Sequence, residues 1–415
     1  MHPRSTVVLG ALLVTVTGLP GTATPAAGAT TDARIQAIED PSSPIAAAKK
    51  AVEELGDAEE ARAVPALIKL LYEPHQGRTL APEAAFALFE IGKPSADALL
   101  KVVQSKDPDL QAWAAAHHVA EALLWTEAAS VLADLGDPRA EAPLLRLLRD
   151  RSANPQLELF VQRRVASALG RLHSRPAVDR LAELVTVDDM QARHEVERAL
   201  VQIGGRAGLP AVERAAGAGS WELRQIGLDG FTMLGGGADR PAFQKMMQRE
   251  ADIITADCRA HPGYVGCHDQ PALLPEMLGR VRGFGRRLDA AARCGQDVPC
   301  WTARLQDGDP GVRERAVLEL ARRATGKQVD PLFTAAGDPD AAVRLAAVQA
   351  LEWLLANDAG ARAVGQRHIP ALEASRARGQ DTVGGARFDA PLRRILHRLR
   401  VPRAAAPATL GRRPA

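Results

Sequence analysis

The chain is predicted to be all-α, a right-handed α-α superhelix in which helical hairpins stack into a solenoid. Three observations predict this. Its 415 residues exceed one ordinary core but suit an array whose units touch only their neighbours. Its composition is 4% aromatic and rich in Ala, Leu, Arg and Glu, residues that lose little rotamer freedom in helices. Finally, a single helical template recurs along it.

The template is clearest where DPGVRERAVLELA from Asp309 is set beside DPDAAVRLAAVQAL from Asp338. Arg313 and Arg344 are each followed three residues later by a small residue, Ala316 or Ala347, and seven later by Leu320 or Leu351. Arg224, Gly227 and Phe231 repeat the frame, as do Arg193, Val196 and Leu200. These offsets place a small and a large apolar residue on one helix face, where the small one admits a neighbouring helix. A turn and a second apolar helix follow, as in LGDAEEARAVPALIKLL from Leu55 and LGDPRAEAPLLRLL from Leu135. Gly ends the first helix, and Pro restarts the chain where its missing N–H costs nothing. Successive turns from Leu55 to Leu234 lie about 31 to 44 residues apart, the period of two-helix repeats. The V-R-x-x-A frame that follows Asp-Pro, at Val312 to Ala316 and Val343 to Ala347, and the turn Leu135 to Ala140 resemble HEAT repeats of the armadillo/HEAT-like class, in particular the short kind named after phycobilisome lyases. That resemblance implies a curved stack with a concave face lined by one helix of each pair.

The N-terminus reads as an export signal, with Arg4, an apolar run from Val7 to Leu19, and Ala27-Gly28-Ala29. This predicts a leader over 1–29 cleaved after Ala29 and a mature chain that is periplasmic or secreted. The apolar run is shorter than the ~20 residues that span a bilayer, and no membrane span is expected. A linker is expected over 30–43, N-terminal repeats over 44–249, C-terminal repeats over 283–402, and a disordered basic tail over 403–415. Net charge is +2, against a dedicated nucleic-acid binder. Arg393, Arg394, Arg398, Arg400 and Arg403 cluster near the end, either as a basic lip for an acidic partner or as a solvated helix and tail.

Between residues 250 and 282 the template fails, and an irregular Cys- and His-containing insertion is expected there. Cys258, Cys267, Cys294 and Cys300 lie in or beside it. An even number of cysteines in an exported chain predicts disulfides. Three pairings are possible; the local ones, Cys258 with Cys267 and Cys294 with Cys300, are favoured because each flanks a stretch able to fold back. Each short closure contributes roughly 2 to 3 kcal/mol in the chain-entropy picture. His261 and His268 stand near Cys258 and Cys267, yet their spacing matches no zinc pattern. His117 and His118 point about 100° apart on a helix and cannot chelate one ion from one face, with one expected to face the core.

His194 and Glu195 resemble one His-Glu pair of deoxyhypusine hydroxylase, a HEAT-like di-iron enzyme that uses four such pairs. No other His here precedes Glu, and a di-iron centre needs several converging donors. Bilin lyases share the repeat and imply a tetrapyrrole-handling alternative. No nucleophile elbow, phosphate loop or H-E-x-x-H is present. The expected function is a scaffold without catalytic residues, metal or cofactor, binding a protein or peptide on its concave face. Arg193, Glu197, Arg224, Glu314 and Gln349 are the candidate exposed contacts, although Arg344 is also placed to bridge to Asp309 of a neighbouring turn.

Overall fold

A computed structural model describes residues 30–150, 154–261, 283–380 and 386–401. The predicted leader and its cleavage after Ala29, Cys267 and His268, Arg403 and the predicted tail lie outside the described residues.

The described residues form stacked helices. A first helix, α1 (Thr31–Glu39), occupies the expected linker because Thr30 accepts a hydrogen bond from the Ala33 amide and caps it. Hairpins follow: α2 (Ile45–Asp57) with α3 (Val64–Leu70), then α4 (Ala81–Ile91) with α5 (Lys93–Val102). An extra helix, α6 (Pro108–Ala116), precedes α7 (Glu121–Leu135) and α8 (Glu141–Arg149). The regular pairs α9 (Pro155–Arg171) and α10 (Val178–Leu184), α11 (Met190–Ile203) and α12 (Leu209–Ala216), and α13 (Trp221–Leu234) and α14 (Arg240–Ala260) complete an N arm. A C arm comprises α15 (283–294), α16 (Val298–Arg304), α17 (Pro310–Arg323), α18 (Asp330–Ala335), α19 (Ala341–Asn357), α20 (Ala359–Gly365), α21 (Ile369–Gln380) and α22 (Ala386–Arg400).

Local chemistry sets the starts and stops. Asp189, Ser220, Asp309 and Asp340 precede repeat helices, and each accepts hydrogen bonds from amides of the first turn, satisfying donors that have no intrahelical partner. Gly136 ends α7 at φ 68° and ψ 30°, the left-handed conformation glycine adopts at no steric cost.

The recurrent arginine proves to be a repeat fastener. Arg193 donates to the Val187 carbonyl at 2.5 Å, Arg313 to Asp307 at 2.9 Å, and Arg344 to Asp338 at 2.7 Å. Arg224 likewise donates to Gly219 at 2.6 Å. Each reaches back across its own turn to a carbonyl five or six residues earlier. Arg313 also makes a bidentate pair with Asp338 of the next turn, both bonds 2.8 Å, the fork geometry that suits guanidinium and carboxylate. The predicted bridge between Arg344 and Asp309 does not form; Asp309 pairs with Arg286.

The irregular insertion expected from residue 250 is helical over its first residues. Helix α14 runs through to Ala260, anchored by Glu250, which is 1% exposed and binds Arg224 at 2.6 Å and 3.2 Å. The rest of that segment, from 262 to 282, lies outside the described residues.

The opening helices of successive repeats stack on one another, α2 on α4, α7, α9, α11 and α13, then α17 on α19 and α22. The stack then returns on itself, and α22 packs against α4. Two apolar clusters result. One gathers the N arm with Leu288 and Leu318, the other belongs to the C arm, from Ala290 to Leu399.

The closest helix approach is at Gly227, where a Cβ would stand 2.1 Å from the Ala216 nitrogen and 2.6 Å from the Ala215 carbonyl carbon. Backbone cannot yield there, so Gly227→Ala is expected to lower unfolding free energy by about 1–3 kcal/mol. Gly219→Ala, whose Cβ meets nothing within 4 Å, should change it by less than about 0.5 kcal/mol. Denaturant titration of both variants checks the contrast.

Candidate functional site: the seam between the arms

The inner faces of the two arms meet along a polar seam. At one end, Arg315 of α17 donates to the Thr232 and Gly235 carbonyls at the end of α13, both at 2.5 Å. Further along, Arg322 donates to the Val201 carbonyl in the last turn of α11 at 2.9 Å, and Gln202 donates to Gln349 of α19 at 2.9 Å. His173 packs on Trp353 at 4.4 Å between ring centroids. At the other end, Arg398 of α22 donates to the Asp134 carbonyl at 2.5 Å, and Arg394 pairs with the Asp134 carboxylate at 3.2 Å. The C arm thus supplies guanidinium groups to helix C-termini of the N arm, where backbone carbonyls lack intrahelical partners and the helix dipole is negative.

Burial shapes the charges here. Arg315 is pushed down to about 9 by burial, with Arg322 and Arg287 adding repulsion, and Arg322 falls to about 10 from burial. Burial opposes charge on Arg394, but Asp134 and Glu352 beside it hold the guanidinium above its ordinary value. His173 drops to about 3, from burial and the neighbouring Arg322. Near the turn between the arms, Glu197, Asp229 and Glu314 share a space with Arg287 and Arg198. Burial and these like charges raise Glu197; burial outweighs Arg287 and lifts Glu314 to about 7.

This arrangement corrects the expected contacts. Arg193 is committed to its own turn and to Asp188. Arg224 is 5% exposed in its pair with Glu250, and Glu197 is 9% exposed, against Gly230. Glu314 faces Arg287 at 3.9 Å, and Gln349 bonds Gln202. Arg193 and Arg224 are held within their own arm, and at Gln349 the inner face is met by the opposite arm. Neither basic lip nor solvated helix describes α22, because Arg394 and Arg398 turn inward, their side chain and residue being 11% and 8% exposed.

His194 is exposed and Glu195 pairs with Arg198 at 3.2 Å. His261 is exposed beside Asp257. His117 and His118 are both exposed, neither facing the core, because α6 ends at Ala116. Among the described residues no three or more of His, Cys, Asp and Glu converge as metal ligands. Cys294 and Cys300 are bonded, while Cys258 is also disulfide-bonded and its expected partner Cys267 lies outside the described residues. No helix among the described residues is long and apolar enough to cross a membrane.

Sequence reasoning missed Asp134, the node that joins Arg171 of its own arm to Arg394 of the other. It also missed a strip of the inner face one or two helical turns before the seam. Glu127, Arg164 and Arg198 lie seven, seven and four residues before Asp134, Arg171 and Gln202, and so share their faces. Arg164 binds Glu127 at 2.5 Å, and the side chains of Arg164 and Arg198 are 40% and 39% exposed.

Because the carboxyl of Glu314 titrates near 7 in the fold against 4.5 when unfolded, the folded chain binds more protons between those values. Its contribution to stability is present below about 4.5 and lost as pH rises through about 7. Glu314→Gln should therefore flatten the decline in melting temperature between pH 5 and 7.5; a variant profile parallel to the wild type would refute the assignment.

Comparison with known proteins identifies repeat segments. Residues 298–384 match the family model of HEAT repeats, and residues 126–150 and 161–186 that of the PBS lyase HEAT-like repeat. No curated protein matches the chain. Among solved structures, an engineered protein aligns at 16% identity and TM-score 0.32, over 89% of this chain and 99% of that one. The CpcE and CpcF complex of phycocyanin lyase from a Nostoc species aligns at 19% and 0.30, over 55% and 85%. Human deoxyhypusine hydroxylase aligns at 20% and 0.25, over 78% and 95%. The chain carries HEAT repeats over 298–384 and repeats of the PBS lyase HEAT-like kind over 126–150 and 161–186.

Proposed function

We propose that the chain is an exported, non-catalytic scaffold that holds a protein or peptide along the inner faces of its repeats. One observation carries the reading: those faces are lined by guanidinium groups, carboxylates and aromatic rings that already recognise another folded body, the opposite arm. Such surfaces discriminate by charge and hydrogen bonding. The strip of Glu127, Arg164, Glu195 and Arg198 continues the same chemistry beyond the seam. Export is part of the proposal, supported by the apolar run that ends before Ala29 and by the Cys294–Cys300 bond, which persists in oxidising compartments.

Protein isolated from the exported fraction is expected to be colourless and metal-free. Stoichiometric iron or a bound bilin would replace this reading with a cofactor-handling one. In affinity capture, reversing charge with Arg164→Glu and Arg198→Glu should lower recovery of bound partners at least ten-fold; unchanged recovery would remove the inner face from the proposal.

A further inference from the structure

The face that α4 and the end of α7 turn towards α22 is built to hold a basic helix. Phe86, Phe89 and Glu90 project from α4, and Asp134 from α7. The Arg393 guanidinium stands 3.8 Å from the centroid of Phe86, and that of Arg398 4.8 Å from Phe89, within range of cation–π attraction. His397 meets both rings edge-on at 6.4 Å and 5.6 Å, with its Nδ1 3.6 Å from Glu90 Oε1. Arg394 completes the set at Asp134. The N-arm surroundings are acidic: Glu53, Asp57 and Glu59 all bear on Glu90.

The opposite side of α22 has a separate task. Leu392, Ile395, Leu396 and Leu399 are 0–3% exposed within the C-arm core. The side of α22 that meets Phe86, Phe89, Glu90 and Asp134 is the basic one, so this contact is made by charge and π-faces. Polar contacts of this kind between packed units are those across which relative motion is the default expectation.

We infer that this face is a receptor for an arginine-rich helix, occupied in cis by α22, and that a partner helix bearing the same basic pattern takes it when the arms part. The inference rests on the binding reading above and names the chemistry of the partner. An entering helix must present Arg or His at successive positions matching 393, 394, 397 and 398, spaced to lie on one side of a helix.

The probe is a labelled synthetic peptide of residues 386–400, ARFDAPLRRILHRLR, titrated against the full chain. Arg394→Ala/Arg398→Ala in the chain withdraws the cis occupant and is expected to tighten peptide binding at least ten-fold over wild type. A second variant at the rim, Arg393→Ala/His397→Gln, should act in the same direction and serves if the first does not fold by circular dichroism. Adding Phe86→Ala to either should abolish the gain, and so should alanine at both Arg394 and Arg398 of the peptide, which keeps the leucine side. Equal binding by wild-type and opened chains, or by the two peptides, would overturn the inference. A captured cellular partner that the peptide does not displace would also overturn it, while leaving the scaffold reading standing. Peptide binding without any cellular partner would do the reverse.

Discussion

Guanidinium groups of the C arm that bind helix C-termini of the N arm are the interaction on which the architecture depends. Every α-helix ends with carbonyls that its own ladder cannot satisfy. Here Arg315, Arg322 and Arg398 reach across to the ends of α13, α11 and α7. Hydrogen bonds from charged donors contribute about 1.5–3 kcal/mol each, and a few of them hold the two stacks in register.

The seam is polar because each arm has already spent its apolar residues inside. Leu55, Leu132 and Leu169 are fully buried in the first cluster, and Leu320, Leu351 and Ile395 in the second. What remains for the inner face is Asp134, Gln202, Gln349, Glu352 and the arginines. A surface of this kind discriminates by the placement of charge, and Asp134 illustrates it: its carboxylate takes Arg171 and Arg394 while its carbonyl takes Arg398. Three arginines converge on one residue, and none of them is interchangeable with an apolar neighbour.

The repeats were readable from sequence because the +3 and +7 offsets after Arg193, Arg224, Arg313 and Arg344 have a single helical meaning. So were the Gly and Pro of the turns and the local bond between Cys294 and Cys300, which depend on neighbours a few residues away. The arginines themselves were harder, since a side chain that reaches back to a carbonyl across its own turn looks, in sequence, like an exposed polar position. The return of the stack left no periodic trace at all. It is made by pairs such as Arg398 with Asp134, 264 residues apart, and by Gln202 with Gln349. Each of these sits where an amphipathic helix ordinarily meets solvent. The candidate contacts were read as open for that reason, whereas Arg193, Arg224 and Gln349 are each engaged by other residues of the chain.

An ordinary solenoid can gain or lose a unit, since each repeat consults only its neighbours. The doubled stack described here has lost that freedom. Helix α19 alone spans three rungs of the opposite arm, with Ala356 beside Gly136, Trp353 on His173 and Gln349 on Gln202. Like the teeth of a closed zipper, these contacts hold only if both arms keep step. One repeat inserted into either arm would put every later tooth against the wrong partner, so the number of repeats is itself fixed by the fold.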